Sequence, residues 1–351
     1  MPDPATPEPA APRPTTDDPV RWGVLAPGGI AATFARDLAL VPEATLVAAG
    51  SRTLASAEAF VAEHGGRAHG SYADLVADPD VEVVYVASPH AFHLEHARLA
   101  LEAGKHVLCE KPVALNAAEA EEMVAAARAA DRFLMEGMWT ACNPVVRELA
   151  AGLRSGRWGT PRRLHAELGF VVPRDPGHRL VDPALGGGAL LDIGVYPVTF
   201  AHLLLGEAES LWPVGDLSDR GVDTDVVIAG SYPGGVLVTL SASITSWSSK
   251  RAEIATDTGR IVVEQFLHPT AATYTPYDDE RPAGEPETIT GTEPLVGRGF
   301  GNEIAEVGRC VRAGLRESPL VPHEQTLTVM RQLDSVRATL GVHYPGEPDL
   351  R

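Results

Sequence analysis

From residue 20 to residue 136 the chain alternates short apolar runs with helix-patterned stretches, and this alternation restricts the fold more than any other feature. Residues 20–25, 44–49, 81–87, 107–109 and 133–136 are rich in Val, Leu, Ala and Phe, with little polar interruption. Strands buried on both faces read this way, because helices cover a parallel sheet above and below. Between them lie helical patterns at about 29–40, 54–64, 71–78 (opened by Ser71 as a cap), 93–103 and 116–131. Strand–helix alternation of this kind predicts an α/β, doubly wound parallel sheet. Ligands of such sheets bind beyond the carboxyl ends of the strands. The turn after each strand is therefore where binding residues are sought.

The first turn is Ala26-Pro27-Gly28-Gly29-Ile30-Ala31, a G-x-G-x-x-G/A pattern with Ala26 in place of the first glycine. Gly28 lets the backbone approach a pyrophosphate, Ala31 lets helix and strand pack closely, and the helix N-terminus supplies N–H donors. Gly29 and Ile30 lie in the same cradle. The second strand ends in Ser51-Arg52. A site selective for NAD places an acid here, whereas a guanidinium matches a 2′-phosphate, so NADP is predicted in preference to NAD. The third of these apolar strands ends at Ser88-Pro89-His90, opening an H-x-x-H-x-x-H run (His90, His93, His96). No fourth ligand or acid is spaced to complete a metal site. His90 and His93 are placed beside the cofactor, and His96 on the helix surface. The next strand runs into Glu110-Lys111-Pro112, which puts an ammonium at the crevice with a φ-locked proline behind it. Trp139, just past the last strand, fits either core or substrate wall.

At 351 residues the chain is long enough for two domains. From residue 162 the pattern changes to successive strands at 163–172, 210–215, 225–231, 235–245, 251–256 and 260–263, joined late by tight Gly turns. This predicts a C-terminal α+β domain, residues 139–351, with a large, mostly antiparallel sheet. One helix interrupts it from Gly186-Gly187-Gly188 towards Leu205; residues 265–298 read as a long polar loop, and helices at 301–313 and 323–340 close the chain. Residues 1–19, dominated by Pro, Ala, Thr and acids, are expected to form a disordered tail rather than a signal peptide. The N-terminal domain is then 20–138.

A net charge of −18 argues against nucleic acid or an anionic membrane as partner. No apolar run is long enough to span a bilayer by this reading. Three scattered cysteines without C-x-x-C suit reduced thiols in the cytoplasm, with no metal site.

Asp192 and Tyr196 stand four apart on the helix after the three glycines, hence on one face. A buried tyrosine with a capping acid is the plain structural reading. With Lys111 across the cleft, the phenol pKa would fall and the pair could exchange a proton with an alcohol or carbonyl oxygen.

On 23–31, on Ala103-Gly-Lys-His-Val-Leu-Cys-Glu-Lys-Pro112 and on Gly186-Gly-Gly-Ala-Leu-Leu-Asp-Ile-Gly-Val-Tyr196, the chain resembles the Gfo/Idh/MocA oxidoreductases. Within them the third motif, Met135-Glu-Gly-Met-Trp139-Thr140 and Glu317-Ser-Pro-Leu-Val-Pro322 look like the dimeric dihydrodiol dehydrogenase and NADP-dependent D-xylose dehydrogenase branch. The resemblance implies a Rossmann domain, NADP, Lys111 and Tyr196 as catalytic pair with Asp192 in support, and a homodimer or homotetramer formed through the C-terminal sheet. It implies a carbohydrate or diol substrate. Ala141-Cys142-Asn143 takes bulk and charge off the expected substrate wall and counts against an aromatic diol. A nucleotide-sugar ketoreductase and a non-catalytic NADP-binding redox sensor are the alternatives. An NAD-dependent glycosidase would want metal ligands that are not convincingly spaced here.

Overall fold

The computed structural model describes residues 18–173, 175, 177–279 and 281–347. Most of the expected disordered tail, and the last four residues, lie outside the described residues. The first sheet has six parallel strands: β1 (Val20–Leu25), β2 (Ala44–Gly50), β3 (Arg67–His69), β4 (Val83–Val86), β5 (His106–Glu110) and β6 (Leu134–Gly137). Their order, β3-β2-β1-β4-β5-β6, is that of a dinucleotide-binding sheet, with its topological switch point between β1 and β4. Helices α1 (Gly29–Leu38), α2 (Leu54–His64), α3 (Tyr72–Ala77), α4 (His93–Glu102) and α5 (Ala117–Ala130) cover it. Thr53, Ser71 and Asn116 cap α2, α3 and α5 with their side chains, supplying acceptors for otherwise unpaired N–H groups. Phe34 stacks on Tyr85 at 3.8 Å and meets Trp22 and Phe300 edge-on, joining α1, β1 and β4 to the end of the chain.

Two short connections follow, α6 (Trp139–Cys142) and α7 (Pro144–Arg154). Asn143 caps α7 and Pro144 takes its first position, where a missing N–H costs nothing. The second sheet starts with β7 (Pro161–Gly169). After a π-helical turn at Leu190–Gly194 come α8 (Val195–Leu205), β8 (Ser210–Leu217), β9 (Asp223–Tyr232), β10 (Val236–Ser243), β11 (Ala252–Thr256) and β12 (Gly259–Val263). The stretch expected to be a long loop instead continues the sheet with β13 (Ala272–Asp278), β14 (Arg281–Pro282) and β15 (Glu287–Ile289). Its strands are polar on an edge, so no apolar alternation marks them. All pairings in this nine-stranded sheet are antiparallel except β7 with β10.

One face of the second sheet packs on α7 and α8; the other leaves Trp212, Val214, Val227, Leu237 and Trp247 more than half exposed. The helical run Pro183–Leu205 meets the length and composition of a bilayer span, contrary to the sequence reading, but most of it is buried inside the protein as a core helix.

The last helices, α9 (Phe300–Arg312) and α10 (His323–Leu340), return to the first domain. Asp37 on α1 accepts the Arg298 and Phe300 N–H groups and so caps α9 from another element. A Cβ at Gly297, φ +63°, would overlap that carboxylate. The Thr326 hydroxyl donates to Glu136, and the fully buried Arg337 pairs with Glu347 and donates to the Leu115 carbonyl. Removing one partner of such a buried pair typically costs about 3–5 kcal/mol.

Candidate active site

The turns after β1, β2, β4, β5 and β6 open on one cleft of about 750 Å³, closed on its far side by residues of the second domain. Gly28 is the N-cap of α1, and the first N–H groups of the helix face this space. A Cβ at Gly28 would touch only the Ala26 carbonyl at 4.0 Å, and one at Gly29 would touch nothing, so both glycines border open cleft. Ala26 holds φ +62°, the left-handed conformation that a first glycine would adopt freely. Ala31 is fully buried beneath the turn and packs rather than lines; Ile30, Ser51 and Arg52 line the cleft. A glycine cradle, a helix N-terminus and a guanidinium beyond β2 suit the pyrophosphate and 2′-phosphate of a dinucleotide.

Lys111 follows Glu110 at the end of β5, and the Lys111–Pro112 peptide is cis. The Glu110 carboxylate is anchored by the Tyr85 hydroxyl and the Lys111 N–H. From the other side, the π-helical turn delivers Asp192. Pro197 offers no N–H to the i−5 carbonyl, which is that of Asp192. That carbonyl accepts from Lys111 Nζ at 2.5 Å, and the Asp192 carboxylate lies 3.5 Å from the same ammonium. Arg179 donates to the carboxylate at 2.9 Å, and His90 Nε2 stands 3.6 Å away. Burial alone would raise the Asp192 pKa, but Lys111, Arg179 and His90 outweigh it, and the carboxylate is held ionised well below the usual range. Burial keeps His90 neutral, with a pKa lowered to about 3; its Nδ1 bonds the Gly186 carbonyl at 3.1 Å.

The three glycines before this turn are each confined. A Cβ at Gly186 would lie 2.9 Å from His90 Cβ, one at Gly187 2.8 Å from the Arg179 carbonyl, and one at Gly188 2.4 Å from Asp223 Oδ1. Gly186 therefore presses directly on the first domain. Asp223 in turn accepts the Leu190 N–H at 2.5 Å, fixing the turn that carries Asp192.

Tyr196 lines the cleft, its hydroxyl without a hydrogen-bond partner among the described residues. Lys111 Nζ sits over the ring, 4.7 Å from its centroid. The expected depression of the phenol pKa is reversed: burial, then Glu110, Asp192 and Glu303, push it well above its ordinary value. Lys111 holds the aromatic face, and Asp192 takes up its charge, so the phenol stays protonated.

Trp139 lines the cleft 6.3 Å from Tyr196 and packs on Phe300 and His268, which makes it wall and core together. Ser88 borders the cleft, its hydroxyl bonded to His96 Nδ1 at 2.9 Å. His96 is consequently buried, not on the helix surface as expected. His93 does not reach the cleft either. It is fully buried, its two ring nitrogens bonded to the Ser88 and Pro112 carbonyls, and it staples two cleft loops together. Ala141, Cys142 and Asn143 are buried too, Asn143 as the α7 cap, so their small size says nothing about the substrate wall. Sequence reasoning missed Arg179, Phe170, Lys250, Gln265 and His268, which line the cleft from the second domain. Among the described residues, no group of His, Cys, Asp or Glu is placed to hold a metal ion.

Residues 20–138 match the model of an oxidoreductase family with an NAD-binding Rossmann fold, and residues 146–262 match the Gfo/Idh/MocA C-terminal domain. The chain belongs to the Gfo/Idh/MocA oxidoreductases. Among members of this family, the trans-1,2-dihydrobenzene-1,2-diol dehydrogenase of Oryctolagus cuniculus is 38% identical over 328 residues, covering 92% of this chain and 99% of its own length. That of Homo sapiens is 36% identical over 332 residues, covering 93% and 98%. A Gfo/Idh/MocA-like fold also relates the chain to the aldose-aldose oxidoreductase of Caulobacter crescentus, at TM-score 0.82 and 23% identity over 92% of this chain and 98% of that one. KijD10, a 3-ketoreductase from Actinomadura kijaniata solved with NADP and TDP-benzene, superposes at TM-score 0.79 with 29% identity, covering 91% and 97%.

Proposed function

We propose that this chain is an NADP(H)-dependent oxidoreductase that moves hydride between nicotinamide and the CH–OH or C=O carbon of a sugar- or diol-like substrate. The convergence of Lys111, Asp192 and Tyr196 from two domains over the glycine-floored cleft carries this reading. NADP, when bound, supplies the hydride donor or acceptor. The α1 N-terminus with Gly28 and Gly29 would hold its pyrophosphate, Ser51 and Arg52 its 2′-phosphate, and Trp139 would wall the reacting end. In reduction the protonated Tyr196 hydroxyl donates to the carbonyl oxygen. In oxidation Tyr196 must first release its own proton to solvent, and the resulting phenolate oxygen then accepts the alcohol proton. Lys111 orients Tyr196 through its ring face and places a fixed positive charge beside the developing alkoxide. Asp192 and Arg179 keep that ammonium in position. The bound-NADP relative KijD10 and the dihydrodiol dehydrogenase relatives support the cofactor and the substrate class. The same geometry run towards reduction serves a keto sugar, as in a 3-ketoreductase.

NADP(H) absorbance with panels of aldoses, diols and ketosugars tests this. Because burial and carboxylates hold the phenol protonated, reduction should be flat across neutral pH while oxidation rises into alkaline pH. No turnover of any panel member by NADP-saturated protein would sink the reading.

The exposed apolar face of the second sheet, bearing Trp212, Val214 and Trp247, is where a homodimer or homotetramer would form. Three buried free cysteines, Cys109, Cys142 and Cys310, are in keeping with a cytoplasmic setting.

A further inference from the structure

The reaction centre draws on Lys111, Asp192, Tyr196 and, beside them, His90. The opposite wall holds a second polar group that this chemistry leaves unused. Lys250, between β10 and β11, and Gln265, just after β12, both line the cleft, with His268 one turn further on. Lys250 holds φ +59° and Gln265 φ +50°. Left-handed backbone is disfavoured for such residues and persists where surrounding structure over-determines it, frequently at binding sites. Here the determinant is Phe266, fully buried between them. Its N–H donates to the Lys250 carbonyl at 3.1 Å, while the His268 N–H donates to the Gln265 carbonyl at 3.1 Å and the Lys250 N–H to Ser248 Oγ at 3.2 Å.

None of the three side chains has a hydrogen bond or ion pair among the described residues. Other charges at the site are committed. Arg179 and Lys111 share the one Asp192 carboxylate, and Glu110 is held by Tyr85 and the Lys111 N–H. Arg251, next to Lys250, pairs with Glu253 and Glu264. Arg52, at the far end, is assigned to the cofactor. The Lys250 ammonium thus has no acid partner among the described residues, and it shares this wall with an amide and an imidazole that can each donate a hydrogen bond.

We infer that Lys250, with Gln265 and His268, receives an oxyanion, carboxylate or phosphate, carried by the substrate away from its reacting carbon. The preferred substrate class is then an acidic sugar derivative rather than a neutral polyol. This rests on the oxidoreductase reading of the cleft. The same ammonium could instead meet the cofactor's own phosphates, and the experiment separates the two.

Wild-type protein and Lys250→Met are compared at saturating NADP on glucose, glucuronate and glucose 6-phosphate, and KM for NADP is measured for both. The expected result is a wild-type kcat/KM at least about tenfold higher for one of the anionic sugars than for glucose. Lys250→Met should lower that value about ten- to hundredfold, mainly through KM, as for loss of a charge-assisted hydrogen bond. Glucose kinetics and KM for NADP should stay within about twofold, and Lys250→Arg should restore most of the loss. Equal loss on all three sugars, no wild-type preference, or an effect confined to KM for NADP overturns the proposal. If the underlying reading fails, NADPH forms with no alcohol at all. Calorimetric binding of the three sugars to NADP-loaded protein still decides Lys250: tighter binding of an anion, lost in Lys250→Met, supports it, and indifference to charge ends it.

Discussion

The two walls of the cleft are made by different means. The cofactor wall consists of turns at the carboxyl ends of parallel strands, so its groups are mostly backbone atoms and small residues at positions set by the sheet. The substrate wall consists of long side chains on three connections of a mostly antiparallel sheet: Arg179, Lys250, and Gln265 with His268. The first wall suits a ligand shared by a whole family, because glycine turns and helix ends recognise phosphate without regard to what else is bound. The second can be rewritten one side chain at a time without disturbing the sheet behind it. Lys111 and Tyr196 meet where the walls join.

Lys111→Ala should have the largest effect, lowering turnover about a hundred- to ten-thousandfold, the scale of losing acid–base and electrostatic assistance. NADP should still bind, because the glycine turn and Arg52 are untouched, and fluorescence titration of NADPH checks this. Near-normal turnover in this variant would mean that the junction of the walls is not the reaction centre.

A second test addresses the backing of the cofactor wall. Glu136 at the end of β6 accepts from the Val113 N–H at 3.1 Å and the Thr326 hydroxyl at 3.0 Å. Burial raises its pKa to about 7. A carboxyl whose folded pKa exceeds its unfolded value stabilises the fold while protonated, and that contribution fades as pH rises from about 4.5 through about 7. Glu136→Gln should therefore gain stability relative to the wild type over this interval, by up to about 3 kcal/mol at pH 8. Urea unfolding at pH 5 and pH 8 measures it; a difference that does not vary with pH would contradict the raised pKa.

Arg52→Ala should raise KM for NADP about ten- to hundredfold, since charge-assisted contacts to a phosphate carry that much affinity. KM for NAD should barely change. Equal effects on both cofactors would remove Arg52 from the 2′-phosphate and reopen the choice between them.

The same division explains what could be read from sequence. β1, β2, β4, β5 and β6 are buried parallel strands and show as apolar runs, whereas β3 is a three-residue polar edge strand with no such signal. Lys111, Asp192 and Tyr196 sit in local motifs, so the sequence alone points to their meeting at the cleft. The substrate wall is assembled from connections far apart in sequence, and no local pattern marks their convergence. α7 lies between the two patterned regions, and its local start signal is Asn143-Pro144, with Asn143 as cap and proline at the first helical position. The proton state of Tyr196 was misjudged for a related reason. Sequence showed the ammonium, but not the burial or the carboxylates of Glu110 and Glu303 that outweigh it.

Ala26 provides the smallest and sharpest test, because there the cofactor wall departs from its own rule. The first residue of the turn takes φ +62°, and its N–H donates to the Gly50 carbonyl at 3.1 Å, so the conformation is held by the sheet. A left-handed alanine costs about 1–2 kcal/mol. Glycine removes that cost but adds about 0.4–1 kcal/mol of unfolded-state entropy to be lost on folding. Ala26→Gly should accordingly stabilise the protein by somewhat under about 1 kcal/mol, seen as a small rise in the denaturation midpoint. NADP affinity should be unchanged, because the phosphate-facing positions are Gly28 and Gly29. Clear destabilisation would show that this turn is unstrained with a side chain present, and that the cofactor wall, like the substrate wall, is tuned residue by residue.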